Sequence, residues 1–263
     1  MAFVHGKDSK VFLDNNDFGE YFNNVDFTKT ADVTETTAFG SSNKSYIAGD
    51  KDGTVSLSGM FDSVADAVLQ PFLGSSTNTD ICIGADGITD GKSIFFGTGV
   101  VTNYGQSSPV GDVVATTVDL QSNAGLFTGL VLDNATVTAT GNSTVTDNSA
   151  STSNGGGAIA IVTAKSGSST PTATIKIQHS SDNVTFVDLV TFTDFTAVGS
   201  QVSEVASGTT INRYLRVNYS MAPIWKIDNY VRNLDTFVCS ITLMKIKFFT
   251  FSTFSRIKFN SSN

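Results

Sequence analysis

Residues 21–62, YFNNVDFTKTADVTETTAFGSSNKSYIAGDKDGTVSLSGMFD, limit what this chain can become more than any other stretch. In the first part Val25, Phe27, Ala31 and Val33 take odd positions, while Asn24, Asp26, Thr28, Thr30, Asp32 and Thr34 take even ones. In the last part Val55, Leu57 and Phe61 are odd, and Thr54, Ser56 and Ser58 are even. A period of two means a strand with one buried face and one wet face. The connection predicted between the two strands, 40–53, is punctuated by Gly40, Gly49 and the Asp52-Gly53 pair. It is much longer than the two to about five residues that a hairpin loop takes. A long connection costs closure entropy, so Lys44, Tyr46, Asp50, Lys51 and Asp52 within it are predicted to have work to do.

The rest of the chain reads the same way. Gly, Ser, Thr, Asn and Val are abundant, only four prolines occur, and charged residues make up 15%. That is an all-β composition with many turns. Strands are predicted at 10–13, 80–83, 93–103, 112–121 and 126–139, and one helix at 63–73. The helix opens on Ser63 and Asp66 as a capping pattern, carries Val64, Val68 and Phe72 on one stripe, and ends at Pro71 and Gly74. An amphipathic helix beside a sheet packs its apolar stripe on that sheet. Residues 1–140 therefore read as one antiparallel β-sandwich or half-barrel with a flanking α-helix. Residues 141–157, GNSTVTDNSASTSNGGG, read as a linker or surface loop. A second β-sandwich-like region follows at 158–221, with Ile159, Ile161, Ala173, Ile175 and Ile177 alternating.

Charge excludes some functions. The net charge is −8, divided as −12 over residues 1–223 and +4 over 224–263. An acidic body with few Lys and Arg is not built to grip phosphates. No apolar stretch reaches the roughly 18 residues that cross a bilayer as a helix, so no membrane partner is expected. The N-terminus MAFVHGKDSK carries no apolar signal core, which points to synthesis and folding in a cytoplasm. Cys82 and Cys239 are too few for a disulfide framework.

Chemistry is equally sparse. The run 86–93, DGITDGKS, suggests a phosphate loop, but only three residues separate Gly87 and Gly91 and a strand pattern follows, so a hairpin turn is the reading. The two histidines and two cysteines have no zinc spacing. His179 ends a strand and reads as structural. No nucleophile elbow surrounds any serine. The Asp-rich turns at 50–52 and 86–90 hold oxygen ligands of the kind calcium takes, a reading subordinate to solvated surface. No catalytic residue, cofactor or metal is assigned, and the chain is read as a non-enzyme.

The run Ala31-Asp32, Glu35-Thr36, Phe39-Gly40, Lys44, Tyr46, Gly49, Asp52-Gly53-Thr54, Ser56-Leu57 and Phe61-Asp62 resembles the major tail tube protein of long, non-contractile-tailed bacteriophages. Ile177–Asp182, Val190-Thr191-Phe192 and Asn212–Val217 resemble the second half of the same family. The resemblance implies a structural virion protein of the tail, assembled in the host cytoplasm. Its copies would form rings of six, stacked into a hollow tube that conducts double-stranded DNA at ejection without binding it tightly. The implied partners are further copies of itself and the tape measure, tail terminator and distal tail proteins. Loop 40–53 would stack rings. The wet face of the first strand, Asp26, Thr28, Thr30 and Asp32, is a candidate for the bore, with the outer wall as the other placement. The rival reading is a virion decoration or glycan-binding β-sandwich, which would show exposed aromatics on one concave face. The resemblance fails from about residue 222. There the text turns basic and Phe-rich, and its apolar alternation slips parity between Phe248 and Phe249. Residues 222–263 are read as a foreign reading frame, with a true extension as the alternative.

Overall fold

A computed structural model describes residues 6–40, 42–137, 139–165, 172–221 and 237–243. In chain order its strands are β1 (Lys10–Leu13), β2 (Asn16–Asp17), β3 (Phe22–Glu35), β4 (Tyr46–Met60), β5 (Thr79–Gly84), β6 (Ser93–Ser107), β7 (Ala115–Val137), β8 (Gly141–Asn142), β9 (Thr146–Asp147), β10 (Gly156–Lys165), β11 (Ala173–Ser180), β12 (Val187–Thr191), β13 (Gly199–Val205), β14 (Tyr214–Met221) and β15 (Phe237–Leu243). One α-helix, α1 (Ser63–Leu69), runs into a 3-10 turn at Gln70–Phe72. Every ladder between these strands is antiparallel. The mainly β, antiparallel architecture with one flanking helix is the one expected from the sequence.

A ten-stranded sheet runs β13-β10-β15-β7-β6-β5-β1-β2, with β4 joining β7 and β3 joining β4. A second sheet of five strands runs β12-β11-β14, closed on its far side by β8 and β9. The large sheet has a core on each face, because its strands alternate apolar residues to both sides. Val11, Leu13, Val55, Leu57, Ile81, Val118 and Leu120 pack under α1. Phe12, Cys82, Ile94, Phe96, Val131, Ile159 and Ile161 share a core on the opposite face. That second core requires the sheet to curl until β10 faces β1 and β5. Across the gap, Ser200 Oγ in β13 donates to Asp80 Oδ2 in β5 at 2.6 Å. A third core joins Leu132, Ala158, Ala160 and Val162 of the large sheet to Ile175, Ile177, Leu215, Val217 and Tyr219 of the small one. The half-barrel is thus completed by β10 and β13, which come from beyond residue 140.

Four expectations change in detail. Asp62 caps α1 in place of Ser63, its Oδ1 accepting from the Val64 and Ala65 amides at 2.8 and 3.1 Å. The helix buries Ala65 and Leu69, while Val64 points outward at 67% exposure. The strands expected at 112–121 and 126–139 are one strand, β7. It crosses an irregularity between Asn123 and Leu126, where Gly125 takes φ +80°. Only glycine adopts that angle without strain, so the turn signal marks a bulge. Residues 141–155 are held against the small sheet. The Ser143 amide donates to the Val217 carbonyl at 2.8 Å, and the Val217 amide returns a bond to Ser143 Oγ at 2.9 Å. Arg213 grips Asp147 with two bonds of 2.7 and 2.6 Å.

The fourth change concerns 40–53. The connection between β3 and β4 is only 36–45, because β3 runs on to Glu35 and β4 begins at Tyr46. Residues 46–52 hide as a strand because both their faces are wet, which erases the period of two. Of the segment expected to be foreign, 237–243 forms β15, inserted between β7 and β10. Residues 222–236 and 244–263, including the parity slip, lie outside the described residues.

Candidate assembly interface

β3, β4, the first half of β7 and the second half of β6 form a four-stranded patch that differs from the rest of the molecule. Its registers place Asp26, Ser56, Asp119 and Asn103 in one row, and Thr28, Thr54, Gln121 and Val100 in another. Residues directly opposite in a ladder share a face. The face opposite α1 therefore carries Asp26, Thr28, Thr30, Asp52, Thr54, Ser56, Ser58, Asn103, Thr117, Asp119 and Gln121. None of these is Lys or Arg.

The side chains on this face tie the strands together. Asp119 accepts from Ser56 Oγ at 2.5 Å and from Asn103 Nδ2 at 2.9 Å, and these bonds hold its carboxyl below the usual carboxylate range. Asp52 Oδ1 accepts from Gln121 Nε2 at 2.5 Å and from the Gly53 amide at 2.7 Å. Asp26 accepts from Asn24 Nδ2 at 2.9 Å. The nearest cations lie on the other face. Lys29 donates to Thr128 Oγ1 at 2.8 Å, its Nζ lies 5.5 Å from the Phe95 ring centre, and burial, then nearby Lys51, lowers its pKa.

The patch has two open edges. Among the described residues β3 pairs with β4 alone, over fourteen residues. On the far side of β6, Leu73 bridges to Val101, and 102–107 have no strand partner among the described residues. Soluble proteins usually blunt or cover such edges.

Beyond the Ala31–Lys51 pair the β3–β4 ribbon leaves the body as an arm. Every described residue from 28 to 40 is exposed. Opposite Asp32 the register slips by one residue at Gly49 and Asp50, a bulge that turns the arm. Asp32, Asp50 and Lys51 thus lie at the arm's root, and Lys44 and Tyr46 near its tip, where Lys44 pairs with Glu35 at 3.0 Å. The sequence reading missed the tip's apolar character: Val33, Phe39, Tyr46 and Ile47 are all strongly exposed, Phe39 completely. A second apolar group, Met60, Val64, Val110 and Val113, lies at the other end of the same sheet, where Met60 pairs with Ala115. The reading also missed Asp119, Gln121 and Asn103, although Thr117, Asp119 and Gln121 alternate with Val118 and Leu120 in plain view.

The small sheet offers no comparable surface. On its outer face Phe186 lies under the Arg216 guanidinium at 4.0 Å, and Lys176 and Gln178 both donate to Asp188. His179 accepts from the Asn212 amide through Nδ1 at 3.1 Å, and burial lowers its pKa, so it holds structure. No cluster of three His, Cys, Asp or Glu side chains able to hold a metal occurs among the described residues.

No family model matches the chain, and no curated protein matches it. Solved structures similar to it come from phage and phage-like particles. A chain of the native gene transfer agent virion is 16% identical, with a TM-score of 0.39, over 47% of this chain and 97% of that one. The SPP1 tail tube is 12% identical, with a TM-score of 0.40, over 50% of this chain and 81% of that one. The SPP1 Dit protein is 13% identical, with a TM-score of 0.36, over 82% of this chain and 99% of that one.

Proposed function

We propose that this chain is the subunit of a phage tail tube, a structural protein that closes into rings and stacks them into a conduit for DNA. The observation that carries the reading is the pair of open edges on one four-stranded patch. In the order β3-β4-β7-β6 directions alternate, so β3 and β6 run oppositely. Rotation about an axis along the strands preserves direction. It sets the β6 edge of one copy against the β3 edge of the next as an antiparallel pair. An even number of alternating strands therefore closes a ring without a parallel joint, and both edges are satisfied at once. The sequence resemblance over 31–62 supports the same reading and suggests six copies.

In such a ring the face opposite α1 lines the bore. Asp26, Asp52 and Asp119 would repel DNA phosphates, and the hydroxyls and amides between them offer no counterion release. DNA then slides without sticking. The arm, with its exposed Phe39 and Ile47, reaches about 20 Å beyond the Ala31–Lys51 pair at ~3.3 Å per residue. That is enough to meet the next ring at the end bearing Met60 and Val110.

Negative-stain imaging of the purified protein tests the proposal. Rings or tubes are expected. A chain that stays monomeric at high concentration and across salt conditions would refute it.

A further inference from the structure

Resting on the ring reading, we infer that a groove beside the open β3 edge receives Leu73 of a second copy. The groove has a volume of about 530 Å³. Phe22, Val25, Phe27 and Ile83 form its apolar wall, and the polar residues Lys7, Ser9, Asn23 and Asn24 line the rest. Val25 and Phe27 are odd residues of β3, so the groove opens on the helix face of the patch, not on the polar face. At the opposite edge Leu73 follows the 3-10 turn after α1. Its backbone is extended and bridged to Val101, and its side chain is 47% exposed. An apolar side chain is held in place outside one open edge, and a groove with an apolar wall of Phe22, Val25 and Phe27 lies inside the other.

The registers set their heights. Phe22, Gly59, Thr116 and Gln106 form one row, and Phe27, Val55, Leu120 and Val101 form another. The stretch 102–107, open on the side away from β7, thus stands level with Phe22–Asp26, the part of β3 beside the groove. A ring rotation leaves heights unchanged. When the β6 edge of one copy pairs with β3 of the next, Leu73 arrives level with Phe27, on the groove's side of the sheet. Extended segments that add to a sheet edge gain affinity from backbone bonds and specificity from side-chain pockets. Leu73 and the groove supply the second component and fix which heights pair.

The test uses the full chain. Leu73→Asp is expected to leave the circular dichroism spectrum and melting temperature of the monomer unchanged, because Leu73 is already half exposed. It should lower the ring or tube fraction at least tenfold by size exclusion, and Leu73→Met should restore it. A double variant, Leu73→Cys with Phe27→Cys, pairs positions at the same height and should give an oxidised ladder of linked copies that neither single variant gives. Wild-type levels of rings from Leu73→Asp, or rings of the double variant without a ladder, would overturn this inference and leave the ring reading intact. A wild-type chain that never assembles would overturn both.

Discussion

The small sheet and the four-stranded patch are made from the same kinds of residue, yet the small sheet covers one of its edges with short strands and the patch covers neither. In the small sheet β14 is flanked by β11 on one side and by β8 and β9 on the other. Clamps at Ser143, Asp147 and Asn142 hold those short strands, the last through Asn218 Nδ2 at 2.8 Å. Its inner face is a closed core. The patch has one face under α1, one bare polar face, two open edges and an arm. A chain that covers a strand edge in one place with two-residue strands shows that covering edges lies within its means. Where it leaves the outer edge of the fourteen-residue β3 without a strand partner among the described residues, the missing partner is best sought in another copy.

This contrast can be broken in several ways, the largest first. Truncation after Met221 removes β15, which stands between β7 and β10 in the large sheet. The expected outcome is loss of cooperative unfolding in calorimetry, since β10 and β13 would have no ladder to β7. A truncated chain that melts like the full one would show that β15 is not needed to join the two halves.

The second prediction concerns assembly without stability. Replacing residues 32–50 by Asn-Gly closes the Ala31–Lys51 pair with a two-residue turn. A solvent-exposed two-stranded ribbon contributes little by itself. The melting temperature should stay within about 2 °C, as for surface changes of this kind. Tubes should vanish while single rings remain. Long tubes from this variant would remove the arm from stacking.

The third is the converse. Ile177→Ala empties part of the sealed core between the sheets and should cost about 3 kcal/mol, or roughly 6–12 °C for a chain of this size. Rings formed below the new melting point should look normal. A loss of rings well below that temperature would couple the sandwich to the patch.

The fourth is pH dependence. Burial raises the carboxyl pKa of Asp14, Asp80 and Asp133. Groups raised in the folded state stabilise it below the ordinary carboxylate value of 3.8 and lose that contribution as pH rises through their folded values. Asp66, Asp119 and Asp188 are lowered by hydrogen bonds, and Asp182 is lowered to about 2. Their contribution is present above 3.8 and is lost as pH falls through their folded values. Thermal melts should therefore show a shallow maximum on the acid side of neutrality and a steep fall toward pH 2. Asp80→Asn should flatten the neutral limb alone. A limb unchanged in that variant would remove Asp80 as its source.

The smallest structural effect belongs to the polar face. Asp26→Lys with Asp52→Lys in an infectious clone should lower melting only slightly, through the lost Asp52–Gln121 bond, leave tube length unchanged and slow genome ejection, most at low salt, because screening reaches about 8 Å at physiological ionic strength. Unchanged ejection from normal tubes would place that face outside the bore.

Much of this was legible in the residues. The start of α1 and the base of the β3–β4 ribbon follow from local periodicity, because each has one wet and one dry face; β1 follows from a short apolar run buried on both faces. Asp26, Thr28 and Thr30 were readable as a wet face for the same reason. The outer half of β4 was not, because a ribbon with two wet faces carries no alternation. Asp62 as the cap of α1 was decided by which carboxylate reaches the Val64 amide, one residue before the expected position.

What the sequence by itself determined is the all-β class, the acidic body and the alternating faces, since these depend on neighbours two to four residues apart. Only the tertiary structure decided that β7 continues through Gly125, that 237–243 enters between β7 and β10, and that 141–155 lies along β14. It alone left the outer edges of β3 and of 102–107 open at matching heights among the described residues. Pairing across a sheet joins residues tens of positions apart, and a free edge has the same composition as a covered one. The difference lies in which backbone groups find partners, and local periodicity does not record it.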